Sequence, residues 1–385
     1  MQKFRSWFKL YFRETDKLLF FLCLCASAFG MLLVYSATKN GATKLIPSEL
    51  RTMIIAVAAG LILCLLISFL DYEVIIRLWP LVAIFCVLIM CALFIWGSAP
   101  PARPDARSWF DLKIFYFQPS ELVKIGFIIT FAVHLDAVKD HVSKFTTVLL
   151  LGIHALIPIG LVMATGDDGS ALIFMLMFLG MMFAAGFAAV AVAFPAIWAL
   201  GDKFILNQDQ KNRFLAILYP DLYAKNEAFQ QNRGIGAIGS GQFFGQGLFN
   251  GNYTQSGAVP ENQNDFVFSV AGEELGFIGA IAVLVLLAAI ILRIVINGKR
   301  ANDNASYLMC MGMASMLAAQ VIINIGMVLQ WLPVIGITLP FFSAGGSSNL
   351  CVYIGIGLMM SIYRFNQKTP VANFRLQRVV TRFST

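Results

Sequence analysis

The stretch LLFFLCLCASAFGMLLVYS, from Leu18 to Ser36, carries no charged side chain. An α-helix rises ~1.5 Å per residue, so a run of this length crosses the ~30 Å hydrocarbon core of a bilayer. Further apolar runs follow near Met53–Leu70, Leu78–Trp96, Leu122–Leu135, Val148–Ala164, Ala171–Ala185, Phe187–Leu200, Phe277–Ile296, Tyr307–Leu329 and Leu350–Tyr363. With 59% hydrophobic residues, 34 Phe and only 13% charged residues, the chain is expected to be an all-α polytopic membrane protein. The first run is too long for a signal peptide and no small-residue cleavage site follows it, so no cleavable leader is expected.

The span count turns on Ala171–Leu200, which reads as one long helix or as two short ones broken near Gly186. Charge separates the two readings. Lys3, Arg5, Lys9, Arg13 and Lys17 precede the first run, and Arg364, Lys368, Arg375, Arg378 and Arg382 follow the last. Basic flanks stay cytoplasmic, so both termini are expected inside, which requires an even number of spans: about ten transmembrane helices. On that topology residues 201–275 form a large extracytoplasmic loop between spans 7 and 8, within a single membrane domain covering residues 1–385.

The seven cysteines all fall inside apolar runs, which implies packing filler rather than disulfides or a CxxC metal pair. The net charge of +7 is concentrated at the basic ends, which suits anionic membrane lipids and argues against nucleic acid as a partner.

Three stretches depart from plain spans. Six glycines lie between Gly234 and Gly247, a run that either packs helices closely or lets backbone N–H groups approach a phosphate. No strand precedes it and no P-loop lysine follows, so a nucleotide fold is not indicated. In SWFDLKIFYFQPSELVK (Ser108–Lys124), Pro119 fits a first helical turn and Glu121 is placed to reach back as a capping-box residue. Lys124 lies on the face of Glu121, and a lone charge at bilayer depth costs ~2.5–3.5 kcal/mol, so the pair is expected to face a polar cavity. LPVIGITLPFFSAGGSSNL (Leu332–Leu350) is apolar without being helical, so it must be buried in protein or line a cavity. Ser347 or Ser348 there serves either as an N-cap or at an outward helix N-terminus that receives a phosphate. Gln320 and Asn324, one turn apart in the ninth run, suggest interhelical hydrogen bonds.

The stretch VPENQNDFVFSVAGEELG (Val259–Gly276) sets Glu261, Asp265, Glu273 and Glu274 at the edge of this oily chain. Taken alone, a loop acid of this kind is solvated, caps a helix or does chemistry. Together with FQPSELVK (Phe117–Lys124), AIGSGQFFGQG (Ala237–Gly247) and NIGMVLQWLPVIGITLPFFSAGGSS (Asn324–Ser348), the stretch resembles the SEDS family (shape, elongation, division and sporulation). Asp16 and Tyr35–Ala37 also fit, and the likeness covers nearly the whole chain. TGDDGSA at Thr165–Ala171, Gln246, Thr338 and Ala344 depart from the usual family pattern. The short tail is more similar to the RodA branch than to FtsW.

The resemblance implies a peptidoglycan glycosyltransferase of the bacterial cytoplasmic membrane. It would polymerise lipid II, the undecaprenyl-pyrophosphate-linked disaccharide-pentapeptide, on the outer face beside a class B penicillin-binding protein. The family's essential carboxylate falls on Asp265. Such chemistry asks one base to take a sugar hydroxyl's proton, worth ~10²–10⁴ in rate. The pyrophosphate is already a good leaving group, so the paired carboxylates of glycoside hydrolysis are not needed. Phe266, Val267 and Phe268 are expected to desolvate Asp265 and strengthen it as a base.

Glu261 either orients the acceptor or helps hold a divalent cation such as Mg or Mn. Glu273 and Glu274 suit the dipole at the start of the eighth span. Arg107, Lys124, Arg213 and Arg233 are candidates for the pyrophosphate, and His134, His141 and His154 are given no catalytic role. Two other readings stay open, a flippase for lipid-linked precursor and a scaffold for the crosslinking partner.

Overall fold

Asp16 opens the first helix: its Oδ1 accepts the Leu19 N–H at 3.2 Å, and α1 (Lys17–Thr38) follows. The computed structural model describes residues 14–41, 46–99, 106–113, 116–141, 144–187, 208–219, 222–223 and 228–368. After α1 come α2 (Ser48–Phe69), the short α3 (Tyr72–Arg77) and α4 (Trp79–Trp96). A two-residue antiparallel hairpin, β1 (Phe110–Asp111) on β2 (Tyr116–Phe117), pairs Phe110 with Phe117 and Asp111 with Tyr116. It leads into α5 (Pro119–Ala137), α6 (Phe145–Ala164) and α7 (Asp168–Ala184). The long connection is itself helical, with α8 (Gln208–Leu218), α9 (Phe229–Gly241), α10 (Asn252–Gln255) and α11 (Val267–Glu274). Three long helices follow: α12 (Gly276–Lys299), α13 (Asn304–Val328) and α14 (Gly346–Lys368).

Nine of the ten apolar runs thus fold as helices, and Phe187–Leu200 lies outside the described residues apart from Phe187. Seven of the described helices are long and apolar enough to cross a membrane. The other two are α7, at 17 residues, and α5, which carries Glu121 and Lys124. Helix α7 ends at Ala184, and Gly186 follows with φ +92°, a conformation glycine adopts freely at a helix C-terminus. The chain does not continue as one long helix through this point. Exposed leucines such as Leu66, Leu88, Leu150 and Leu292 are what lipid contact requires of a helix that is apolar all round. The protein is a multi-pass membrane protein.

Helices α13 and α14 are the most deeply buried of these spans, and α4 lies at the periphery. Helix α14 runs along α2, and α13 is flanked by α12, α7 and α5. Small residues set these distances. A Cβ placed on Gly357 would lie 2.7 Å from the Cys64 carbonyl oxygen, and one on Gly60 would lie 2.9 Å from the Tyr353 Cβ. The seven cysteines are all free.

Polar groups cap both ends of the bundle. At one end Asp16 accepts from Arg293 Nε at 2.8 Å and Asn297 Nδ2 at 2.6 Å, while Tyr72 Oη donates to Asp303 Oδ2 at 2.6 Å. At the other end of α1, Ser36 Oγ donates to the Glu274 carboxylate at 2.7 Å. The 22 residues of α1 separate these layers by roughly 33 Å at ~1.5 Å each, about the thickness of a hydrocarbon core.

Gly357→Val should lower the thermal midpoint of the detergent-solubilised protein clearly, because backbone cannot yield to the new methyls. Gly160→Ala, with nothing within 4 Å of the added Cβ, should leave it unchanged or raise it. Equal midpoints for the two variants would contradict the close α2–α14 packing.

Candidate active site

At the Asp265 end a cavity of about 990 Å³ opens between the β2–α5 entry, the turn before α7, the segment ending at Asp265, the non-helical stretch Val334–Thr338 and the start of α14. Ala106 and Trp109 before β1, Arg213 of α8, and Phe229 and Gln230 of α9 complete its lining. Six of its lining residues are charged: Glu121, Asp167, Asp168, Arg213, Glu261 and Asp265. Five acids therefore face one guanidinium.

Asp265 is half-buried, and its position is fixed through its backbone. Asn324 Nδ2, from the buried interior of α13, donates to the Asp265 carbonyl at 2.8 Å and to the Ile337 carbonyl at 2.7 Å. One amide thus joins the acidic segment to the non-helical stretch. Two more links run alongside: Ser343 Oγ donates to the Asn264 carbonyl at 2.6 Å, and Ala344 N–H to the Gln263 carbonyl at 2.9 Å. Phe266, Val267 and Phe268 are buried, so the backbone on the C-terminal side of Asp265 is anchored in the core. On the other side Glu261 sits at φ +54°, and its carboxylate accepts from Asn264 Nδ2 at 2.8 Å.

The opposite wall is built by α5. Lys124 Nζ lies 2.8 Å from Glu121 Oε2, with the lysine side chain 1% exposed and the glutamate 8%. Glu121 lines the cavity and Lys124 stands behind it. Gln118 Nε2 donates to Asp167 Oδ2 at 2.6 Å, and Asp167 Oδ1 caps α7 by accepting from Ser170 N–H at 3.0 Å. Gln118 N–H donates to Ser347 Oγ at 2.9 Å, and Ser347 Oγ donates to the Tyr116 carbonyl at 2.9 Å. Thr338 Oγ1 donates to Ser348 Oγ at 3.0 Å. Gly346, Ser347 and Ser348 line the cavity, which therefore receives the N-terminus of a 23-residue helix. The first N–H groups of such a helix lack intrahelical partners, and the helix dipole makes this end favourable for an anion. Arg213 lines the cavity while donating from Nη1 to the Val334 carbonyl at 3.1 Å.

Several expectations are corrected. Arg107 is exposed and does not line the cavity, and neither does Arg233, which lies over the Phe229 ring at 5.6 Å. Lys124, buried and paired with Glu121, does not line the cavity either. Glu121 makes no capping box, because its carboxylate turns to Lys124 and Gln118 has no side-chain cap bond. Ser347 and Ser348 are not N-caps; they lie within the first turn of α14 and bond to other segments. Glu273 and Glu274 do not face the start of a long span. They end α11 fully buried, where Glu273 accepts Tyr253 and Thr254 N–H at 2.7 and 2.8 Å. Glu274 accepts Phe249 N–H at 3.0 Å and Gln255 Nε2 at 2.8 Å. The glycine run takes the close-packing option, since a Cβ on Gly241 would lie 2.0 Å from the Gly272 carbonyl oxygen.

Asn324 bonds loop carbonyls rather than another helix, and Asp168, an acid to which its sequence neighbourhood gives no distinct signal, lines the cavity as well. The signal for Asn324 was present: a buried amide in an apolar span needs a reason. A Mg or Mn ion finds no ready cage, because no three acidic, His or Cys side chains among the described residues are grouped to hold a metal.

Lys124→Met should leave a buried carboxylate without its partner and cost about 3–5 kcal/mol. The double variant Glu121→Gln/Lys124→Met should recover most of that loss in thermal unfolding. A double variant no more stable than Lys124→Met would contradict direct pairing. Asn324→Leu, which strands two buried carbonyls at about 1–3 kcal/mol each, should destabilise the protein and speed hydrogen exchange at residues 262–266. Unchanged exchange there would contradict the tether.

The family described as Cell cycle protein, FTSW_RODA_SPOVE, matches residues 16–368. A relative from Geobacter metallireducens, named probable peptidoglycan glycosyltransferase FtsW, is 30% identical over 94% of this chain and 99% of its own length. Peptidoglycan glycosyltransferase MrdB of Escherichia coli K12 is 28% identical over 91% and 94%. Identities this similar do not separate the two branches. A solved structure described as structural coordination of polymerization and crosslinking by a peptidoglycan synthase complex superposes with a TM-score of 0.79. It is 27% identical and covers 92% of this chain and 99% of that one. The crystal structure of Thermus thermophilus RodA gives 0.69 at 27% identity over 91% and 97%. With the matched region running from the capping aspartate of α1 to the end of α14, this chain belongs to the FtsW/RodA/SpoVE family of cell cycle proteins.

Proposed function

We infer that this protein is a peptidoglycan glycosyltransferase of the bacterial cytoplasmic membrane, polymerising lipid II at the outer face with Asp265 as the base. The observation that carries the site assignment is the sharing of one cavity by Asp265, Arg213 and the N-terminus of α14. A base and two anion-favouring elements are what the transfer requires.

The Asp265 carboxylate takes the proton of an acceptor sugar hydroxyl as its oxygen bonds to the donor's anomeric carbon. The anomeric C–O bond breaks, and both its electrons leave with the undecaprenyl pyrophosphate. Negative charge growing on that leaving group is met by Arg213 and by the N–H groups at the start of α14, fixed donors that need no reorganisation. Glu121, neutralised by Lys124, lines the cavity as a polar wall without adding a full negative charge against the pyrophosphate. The relatives' names, peptidoglycan glycosyltransferase FtsW and MrdB, support the reaction class. The likeness to a chain of a peptidoglycan synthase complex supports a crosslinking partner of the class B penicillin-binding type.

Purified protein given lipid II, with and without such a partner, should yield glycan ladders on a gel. Asp265→Asn should abolish them, a loss of at least about 10²-fold for a missing general base, with the thermal midpoint retained. Ladders of normal rate from Asp265→Asn would overturn the base assignment. Transport of lipid II across vesicles without polymerisation would support the flippase reading instead.

A further inference from the structure

A second cavity, of about 730 Å³, lies on the far side of the Asp265 segment. It is bounded by the end of α1, the start of α2, α10 and residues 259–263, and it shares Pro260 and Glu261 with the first cavity. We propose that this second cavity binds the saccharide portion of a glycan strand and delivers it across the Pro260–Glu261 wall to Asp265. The proposal rests on the glycosyltransferase reading.

The chemistry of the lining selects the ligand. Asn40, Ser48, Gln255, Ser256, Asn262 and Gln263 present amides and hydroxyls, which donate and accept and so match the hydroxyl and acetamido groups of uncharged sugars. The first cavity differs in its balance, with five acids against one guanidinium. Two helix N-termini border the second cavity: that of α10, whose Tyr253 and Thr254 N–H groups are already taken by Glu273, and that of α2, where Glu49 stands in the first turn. Its lining also carries Glu49, Arg51 and Glu261, whose carboxylates and guanidinium hydrogen-bond sugar hydroxyls as the amides do. The volume lies in the ~300–1,000 Å³ range of small-molecule sites.

The dividing wall is rigid. Glu261 holds φ +54°, and its carbonyl accepts Asn264 N–H at 3.0 Å and Phe266 N–H at 3.2 Å. A non-glycine residue in this region is strained and persists only where its surroundings enforce it, a feature that clusters at ligand sites. Gln255 is tethered through Nε2 to Glu274 at 2.8 Å and Ser36 Oγ at 3.0 Å, while its Oε1 is buried without a hydrogen-bond partner among the described residues. A sugar hydroxyl reaching that amide would supply the missing donor.

The test uses the full-length protein in nanodiscs and a lipid-free peptidoglycan tetrasaccharide as probe, with binding read by saturation-transfer NMR on an Asp265→Asn background. Ser48→Trp, which fills the second cavity, should weaken probe binding at least tenfold and, in the otherwise native enzyme, shorten the glycan ladder. Asn40→Ala, a smaller change, should act in the same direction and decides the matter if Ser48→Trp lowers the thermal midpoint. Probe binding and ladder length untouched by both substitutions would overturn the proposal while leaving the polymerase reading intact. A native enzyme that makes no ladder, yet binds the probe in a Ser48-dependent way, would overturn the polymerase reading and leave the glycan site standing.

Discussion

Backbone that is neither helix nor strand cannot sit in an apolar chain unless its carbonyl and N–H groups find partners. The stretch from Leu332 to Gly345 meets that constraint through a few turn and loop bonds of its own backbone and through side chains from elsewhere. Gln231 donates to the Met327 and Leu332 carbonyls at 2.7 and 2.8 Å, Asn324 to those of Ile337 and Asp265, and Asn349 to those of Ser343 and Gly345 at 2.8 and 2.9 Å. Leu339 N–H is satisfied by Ser343 Oγ at 2.7 Å. The partners that satisfy this stretch also grip the acidic segment, so the position of Asp265 follows from the need to bury irregular backbone safely.

The acids of the family's signature stretch divide by what surrounds them. Glu273 and Glu274 are fully buried and are satisfied by N–H and hydroxyl donors of α1 and residues 249–255. Charges held in this way are structural, since an unpaired buried carboxylate would be costly. Asp265 is placed on a cavity wall with its backbone tethered and its side chain in reach of the cavity. Glu261 stands between two cavities in a strained turn. Four acids within eighteen residues therefore serve three purposes, and burial with hydrogen-bond supply is what distinguishes them.

Much of the fold was legible because a membrane span is the simplest signal a sequence can carry. Leu18–Ser36 became α1, one residue longer at its start and two at its end, and the break expected near Gly186 coincides with a left-handed glycine. The Glu121–Lys124 pair was legible too, from helical spacing and the cost of a lone buried charge. What could not be read was direction. Spacing put Arg107 and Arg233 near the right loops, but only the fold decides which guanidinium faces the cavity. The capping-box reading of Glu121 failed because Lys124 supplied a stronger partner. The dipole reading of Glu273 and Glu274 failed because a short helix, α11, intervenes before α12. Asn324 looked like a contact between helices, since nothing in its neighbourhood announces a carbonyl from fifty-nine residues away.

The account depends on Asp265 meeting a sugar hydroxyl while the pyrophosphate lies at the start of α14. A cryo-electron microscopy structure of the Asp265→Asn protein with lipid II in nanodiscs tests this most directly. The expected density has a saccharide hydroxyl within hydrogen-bond reach of residue 265 and phosphates beside Gly346, Ser347 and Arg213. An ordered lipid II whose sugars lie away from residue 265, with its phosphates on another surface, would contradict it.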